Sequence, residues 1–540
     1  MNRKHADIAV RLVTIAVVLG LAACGGGSGP AAAPPPLAAD EVQTAEGVYK
    51  GSVEGNLLVF RGIRYAAPPV GNLRFKAPAA AAAFAGTSDA TQFRENCFQT
   101  AGAGSVGAED CLFLNVWSHE DDTEQPVLVF LHGGGSNGVG GDMTTTDGAM
   151  LAENADIIVV TLNRRLDIFG GLTLDELISE NPRNTAGNYA VLDVIAALQW
   201  LQDNIAEFNG DPTRVMLVGE SAGAFALCHI IAAPEVAGLI SAAVLQSGRC
   251  ARRSRLNASV PVAMAPIFDM AINVHRPVLV AAGCDMAADI PQCLRDLSAD
   301  DVLNAGRTIV AANPGRGVFG PIIDGVVVVS DPHTALMAET AGNIPILVGS
   351  TANEGGGGLS GTPPADDAQY RARLTAIFGS PRDDQIYAVY PSANFPSVAD
   401  AWMTFWADWQ FNCEAEELAR SASVNTPAYL YMFSRGFSTG SRAGLGAVHA
   451  IDVPFLFETY DVFGHTPDAD DALVTDAMQN AWTGLASDPT AAPPYLPAGA
   501  SSWPAYDSNN VQVVNFDATV TIDAIYREGR CTLLRDIISL

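Results

Sequence analysis

One serine stands between two glycines in Gly219-Glu220-Ser221-Ala222-Gly223, where the apolar run Val215–Val218 gives way to a second stretch of small and apolar residues. On composition alone, a serine between glycines is a turn. Between a buried strand and a helix it is the setting of a nucleophile elbow. A sharp turn lifts the hydroxyl off the end of the sheet, and the glycines leave room where side chains would collide. The helix then aims its N-terminus at developing negative charge. Such a serine needs a base to take its proton, an acid to orient the base, and N–H donors for an oxyanion. Donors are at hand in Phe130-Leu131-His132-Gly133-Gly134-Gly135, where Gly134 and Gly135 can present bare backbone N–H groups, with that of Ala222 as the third. His132 reads as structural. His229 lies at least two helical turns beyond the serine and reads as packing. Composition leaves the base among eight histidines, with Asp324 rivalling Glu354 as the acid.

The elements that must hold these groups are written as apolar runs. Val127–Leu131, Ile157–Leu162, Val215–Val218, Ala242–Leu245, Ile344–Val348 and Ala428–Phe433 are continuously apolar rather than alternating, as in parallel strands covered on both faces. Helical stretches lie between several of them. The clearest covers 192–207, with Leu192, Ile195, Leu198 and Ile205 on one side, and Gly210-Asp211-Pro212 then breaks the chain ahead of the strand that leads to Ser221. Strands alternating with helices predict an α/β protein built on a large, mostly parallel sheet. No repeat or internal linker divides the chain after residue 45, so residues 45–540 read as one catalytic unit.

With these motifs in place, the sequence resembles the type-B carboxylesterases, the cholinesterase-like branch of the α/β-hydrolases, over roughly residues 45 to 535. The stretch from Phe60-Arg61-Gly62-Ile63-Arg64-Tyr65 to Val70-Gly71 is similar to that family's N-terminal motif. Glu109-Asp110-Cys111-Leu112-Phe113-Leu114-Asn115-Val116-Trp117 is similar to its second signature, and Gly187-Asn188-Tyr189 and Gly210-Asp211-Pro212 to its approach to the elbow. The resemblance implies an α/β-hydrolase fold with helical insertions forming a gorge. It implies Glu354, in Asn353-Glu354-Gly355, as the acid and His449, ahead of Pro454-Phe455, as the base. Glu220, Ser247 and Asp452 align with supporting polar residues, Asp452 in place of the usual glutamate. The pairings Cys97–Cys111, Cys228–Cys250, Cys284–Cys293 and Cys413–Cys531 also follow from the resemblance. No metal or organic cofactor is implied.

Departures from the family pattern bear on substrate. The first disulfide loop, FQTAGAGSVGAED, carries no tryptophan, so a cation–π site for choline is absent there. Asn163-Arg164-Arg165-Leu166-Asp167 replaces the usual Asn-Tyr-Arg-Leu-Gly. Gly317 and Val318 are small residues at a potential acyl pocket, and Trp402, Trp406, Phe455 and Phe457 are either gorge wall or core.

The remaining signals concern location and partners. With 30 Lys and Arg against 59 Asp and Glu, the net charge of −29 repels nucleic acid and anionic headgroups. The first 23 residues have a basic start and an apolar run too short to span a bilayer, the pattern of an export signal. The run ends in Leu21-Ala22-Ala23-Cys24, which resembles a lipoprotein lipobox, and residues 24–44 read as a Gly/Ala/Pro-rich tether. The expectation is an exported bacterial cell-envelope lipoprotein, periplasmic or outer-membrane anchored, that touches the membrane only through acylated Cys24; the alternative is an ordinary cleaved signal and a secreted protein. Its expected reaction is hydrolysis of a small-molecule carboxylic ester. A lipase acting on aggregated lipid and a non-catalytic surface binding protein on the same fold remain as alternatives.

Overall fold

The six apolar runs form six adjacent strands at the centre of an eleven-stranded sheet. The structure, a computed structural model, describes residues 37–120, 123–135, 144–250, 271–313, 318–494, 502–523 and 526–538. Across the sheet the strands run Thr521–Asp523, Val513–Phe516, Ala428–Phe433, Ile346–Thr351, Ala242–Gln246, Gly210–Glu220, Gln125–Leu131, Ile158–Leu162, Phe113–His119, Leu57–Arg64 and Ser52–Glu54. The seven strands from Val513–Phe516 to Ile158–Leu162 are parallel to one another, and the pairs at either edge are antiparallel.

The continuous apolarity has the expected cause. Along Gln125–Leu131, Val127, Val129 and Leu131 pack into one core cluster while Leu128 and Phe130 pack into another on the opposite face. Successive side chains of a strand alternate in direction, so a strand covered on both sides has no polar position to spare. A third cluster, around Ile168, Phe169, Leu303 and Phe319, forms among helices outside the sheet.

Two boundaries differ from expectation. The helix read over 192–207 begins at Tyr189 and ends at Asn204, after which Ile205–Phe208 tightens into a 3-10 turn closed by Asn209 at φ 64°. Gly210-Asp211-Pro212 does not stop the chain. It starts the long strand, with Gly210 paired to Gln125 and the register shifting before Val215. Pro212 falls inside that shift, where its missing N–H interrupts no ladder.

Residues 39–540 form one compact unit, and Glu41–Gln43, within the stretch read as tether, is its first strand. Four disulfides join Cys97 to Cys111, Cys228 to Cys250, Cys284 to Cys293 and Cys413 to Cys531, the pairings the resemblance implied. The N-terminal apolar run, Cys24, the Gly/Pro/Ala stretch to residue 36, and Gly317 lie outside the described residues.

Candidate active site

Ser221 is the hinge between the Gly210–Glu220 strand and the Ala222–Ile231 helix, at φ 51° and ψ −115°. A non-glycine residue in such a conformation is strained and persists only when its surroundings hold it there. Here its N–H donates to the Gln246 carbonyl of the next strand at 2.9 Å, and its own carbonyl accepts from Phe225 N–H at 2.9 Å. The flanking glycines are required by close approach. A Cβ on Gly223 would stand 2.0 Å from the Leu131 carbonyl oxygen, and one on Gly219 2.6 Å from the Gly223 backbone.

Two distant loops converge on this hydroxyl. His449 follows the Ala428–Phe433 strand, and its Nε2 lies 2.7 Å from Ser221 Oγ. Glu354 follows the neighbouring Ile346–Thr351 strand; its Oε2 accepts from His449 Nδ1 while its Oε1 accepts Thr351 N–H at 2.9 Å. The histidine and acid loops are tied to each other through Asn353. Its N–H donates to the Ala447 carbonyl at 2.9 Å, and its side-chain oxygen accepts Ala447 N–H at 3.1 Å. Asp324, the rival acid, is elsewhere: it bonds the Thr185 hydroxyl and accepts the N–H groups of Val326, Val327 and Val328, organising a turn.

Electrostatics set the protonation states. Burial alone would pull His449 down, but the charge and hydrogen bond of Glu354, with Glu220 and Asp452 behind, outweigh it and hold the imidazole above its ordinary range. Glu220 Oε1 is 3.5 Å from His449 Nε2 and has no hydrogen-bond partner among the described residues. Burial, countered by His449 and reinforced by Asp452 and Glu354, pushes Glu220 up to about 8, so it is largely protonated at neutral pH.

The Gly133–Gly135 turn reaches the same point. A Cβ on Gly133 would meet Glu220 Oε2 at 2.1 Å and Ser221 Cβ at 3.0 Å, so its backbone runs against the nucleophile. Gly134 and Gly135 take φ 96° and 72°. Ala222, the first residue of its helix, has an N–H without an intrahelical acceptor. Behind the turn, Arg164 donates to His132 Nε2 and to its carbonyl oxygen, both at 3.2 Å. Burial and the Arg164 charge lower His132 to about 3, which makes it a neutral bracing residue. His229 packs edge-on against Phe225, with ring centroids 4.7 Å apart.

Asp452 accepts from Gln246 Nε2 at 3.0 Å and Tyr431 OH at 3.2 Å, and burial raises it to about 6. The Ser247 hydroxyl has no hydrogen-bond partner among the described residues. Both bonds fall on Oδ2 of the shorter aspartate, and its buried Oδ1 has no hydrogen-bond partner among the described residues. Of the aromatic residues named from sequence, Trp402, Phe455 and Phe457 are buried core, and Val318 is buried in the separate cluster around Ile168 and Phe319. Trp406 is half-buried and packs on Phe411, whose ring centroid lies 5.0 Å from that of His449. Phe411 went unread because it sits in a π-helical turn, Asp408–Asn412, which breaks helical spacing; such turns concentrate at functional sites.

A mostly parallel sheet of this order, flanked by helices and carrying a strand–serine–helix elbow at its centre, is an α/β-hydrolase. The sequence matches the Carboxylesterase family over residues 38–534. It is 33% identical to the fumonisin B1 esterase of Sphingopyxis macrogoltabida over 82% of this chain and 81% of that one. It is 29% identical to the para-nitrobenzyl esterase of Bacillus subtilis over 89% and 96%. Among solved structures, a thermophilic PNB esterase superposes with a TM-score of 0.77 at 27% identity, covering 92% of this chain and all (100%) of that one. The chain belongs to the carboxylesterase family and is a carboxylic-ester hydrolase.

Proposed function

We propose that the chain cleaves small-molecule carboxylic esters through an acyl-enzyme on Ser221, with His449 as base and Glu354 as orienting acid. The observation that carries the reading is the continuous Ser221–His449–Glu354 hydrogen-bond chain, with 2.7 Å between Oγ and Nε2. His449 takes the serine proton as Oγ attacks the ester carbonyl. The charge that appears on Nδ1–H and Nε2–H is stabilised by the Glu354 carboxylate. The carbonyl electrons move onto oxygen, which the N–H groups of Gly134, Gly135 and Ala222 receive; loss of one such donor typically raises the barrier by ~3 kcal/mol. Collapse expels the alcohol, which takes the proton from His449. Water then repeats the sequence on the acyl-enzyme and releases the acid. Glu220, protonated at neutral pH, adds no second negative charge beside the oxyanion.

A fluorophosphonate probe tests this directly. It labels the native protein and fails to label Ser221→Ala or His449→Ala; labelling that survives Ser221→Ala rules the assignment out.

The reading extends to location. The basic and apolar start and Leu21-Ala22-Ala23-Cys24 support export and acylation of Cys24, which would anchor the enzyme at a bacterial cell envelope. Cys24→Ser is expected to release it from membranes, and unchanged retention would refute the anchor.

A further inference from the structure

Arg442 is a cation beside the reacting groups that nothing in the mechanism uses. It lies in the loop between the Ala428–Phe433 strand and His449, and its Nη1 donates to the His449 carbonyl oxygen at 3.2 Å. Its guanidinium carbon is 4.6 Å from the centroid of the Phe463 ring, a cation–π contact. The chain around it is held in place: Ser441 N–H donates to the Phe463 carbonyl at 2.8 Å. Nε and Nη2 have no acceptor among the described residues, and no carboxylate there lies within ion-pair distance of the group.

The contrast with Arg435, seven residues earlier, is informative. Arg435 bonds both Asp468 and Asp471 and is spent on structure. In a chain with nearly twice as many acidic as basic residues, a half-buried arginine next to His449 with no carboxylate partner among the described residues is a departure from the pattern around it. Burial lowers the Arg442 pKa, yet guanidinium stays protonated over any working pH. The group is within electrostatic reach of Glu220, the residue adjoining Ser221. Glu220 itself is mostly uncharged at neutral pH and leaves the positive field uncancelled.

From this geometry we infer that Arg442 is a binding residue for a carboxylate carried by the substrate, so that the enzyme favours esters bearing a free acid group near the scissile bond. The free edge of the fork matches a carboxylate in a two-point bond, the arrangement for which arginine is suited. The absence of a choline-stacking tryptophan in the Cys97–Cys111 loop agrees with a site that selects anions over cations. The inference rests on the reading of Ser221 and His449 as the reacting pair. The carboxylate can belong to the acyl half, as in a hemisuccinate, or to the alcohol half, as in an ester of a hydroxy acid.

The test compares kcat/KM for 4-nitrophenyl hemisuccinate, for butyryl-glycolate, and for neutral counterparts of each in which the acid is a methyl ester or amide. The expected result is a preference for one of the charged members, roughly tenfold or more, as a charge-assisted hydrogen bond supplies. The preferred member says which half carries the anion. The ratio of charged to neutral kcat/KM falls by about the same factor in Arg442→Leu, mainly through KM, is partly restored in Arg442→Lys, and shrinks with added salt. A measurement on the native enzyme needs no variant: glutarate should compete with a neutral ester more strongly than glutaramide. Equal inhibition, no charged preference, or an Arg442→Leu ratio equal to the native ratio overturns the inference and leaves Arg442 as a brace for the histidine loop. Failure of the esterase reading looks different, with neutral esters unhydrolysed and no fluorophosphonate labelling.

Discussion

With His449 as the proposed base, its protonation sets the rate, because only the neutral imidazole can take the serine proton. Glu354 holds its pKa above the ordinary 6.5, so the acidic limb of kcat/KM for a neutral ester is expected above pH 6.5, with activity rising through that range. In Glu354→Gln the limb should move to lower pH, because the charge that favours imidazolium is gone. The same variant should lose roughly 10³–10⁴ in kcat, because the imidazole is no longer held in the working tautomer. A pH–rate profile from pH 5 to 10 checks both, and a native limb at or below 6.5 contradicts the electrostatic account. Glu220→Gln keeps the shape but removes the ionisation near 8, so native and variant rates should agree near pH 6.5 and diverge above pH 8. Ser221 was readable in the sequence because its signal is local: two glycines, a strand before and a helix after. Of its partners, His449 is 228 residues away along the chain and Glu354 lies between the two, 95 residues before His449, and only the motif resemblance singled them out. Phe411 and Arg442 carried no such signal. One sits in a turn that breaks helical spacing, and the other in a loop whose packing against His449 exists only after folding.

Among the elements, the parallel strands were legible because burial on both faces leaves an unbroken apolar run, as in Gln125–Leu131. Leu57–Arg64 buries its residues less regularly and Val513–Phe516 is only four residues long, so neither announced itself as a strand. The replacement Asp167, where the family pattern has glycine, makes a testable case. Asp167 opens the Asp167–Gly171 helix at φ 53° and is 2% exposed. Burial raises its pKa to about 6, against the pull of hydrogen bonds from Thr100 Oγ1 at 3.0 Å and Ile168 N–H at 2.8 Å. A raised folded-state pKa contributes stability that is complete below the unfolded value of 3.8 and is lost as pH rises through about 6. Asp167→Asn tolerates the left-handed backbone and cannot ionise. It should therefore stabilise the protein at pH 7.5 by up to about 3 kcal/mol and leave it unchanged near pH 4. Denaturant titrations at the two pH values decide this; an equal effect at both would place the cause in the backbone rather than in the charge.

For the whole molecule, the question is what keeps loops from opposite ends of the chain in register over one serine. Hydrophobic burial on the two faces of the sheet fixes the strands, and the Asp408–Asn412 turn that presents Phe411 to His449 packs Trp409 at the margin of that core. Two links from the C-terminus secure that turn. Arg527 and Arg530 both bond the buried Asp408 carboxylate, and Cys413, directly after the turn, is joined to Cys531 across 118 residues. A bridge closing so long a loop restricts the unfolded chain strongly, by about 4–5 kcal/mol in the chain-entropy account. The double variant Cys413→Ser/Cys531→Ser should accordingly unfold several degrees lower by calorimetry. Because the second link remains in the folded state, its activity at 25 °C should be altered far less than its stability. Mild reduction of the native enzyme should lower its transition in the same direction, while the reduced double variant shifts less. A double variant with the native unfolding temperature would mean that the arginine pair alone holds the C-terminus and that the bridge adds nothing to the register of the site.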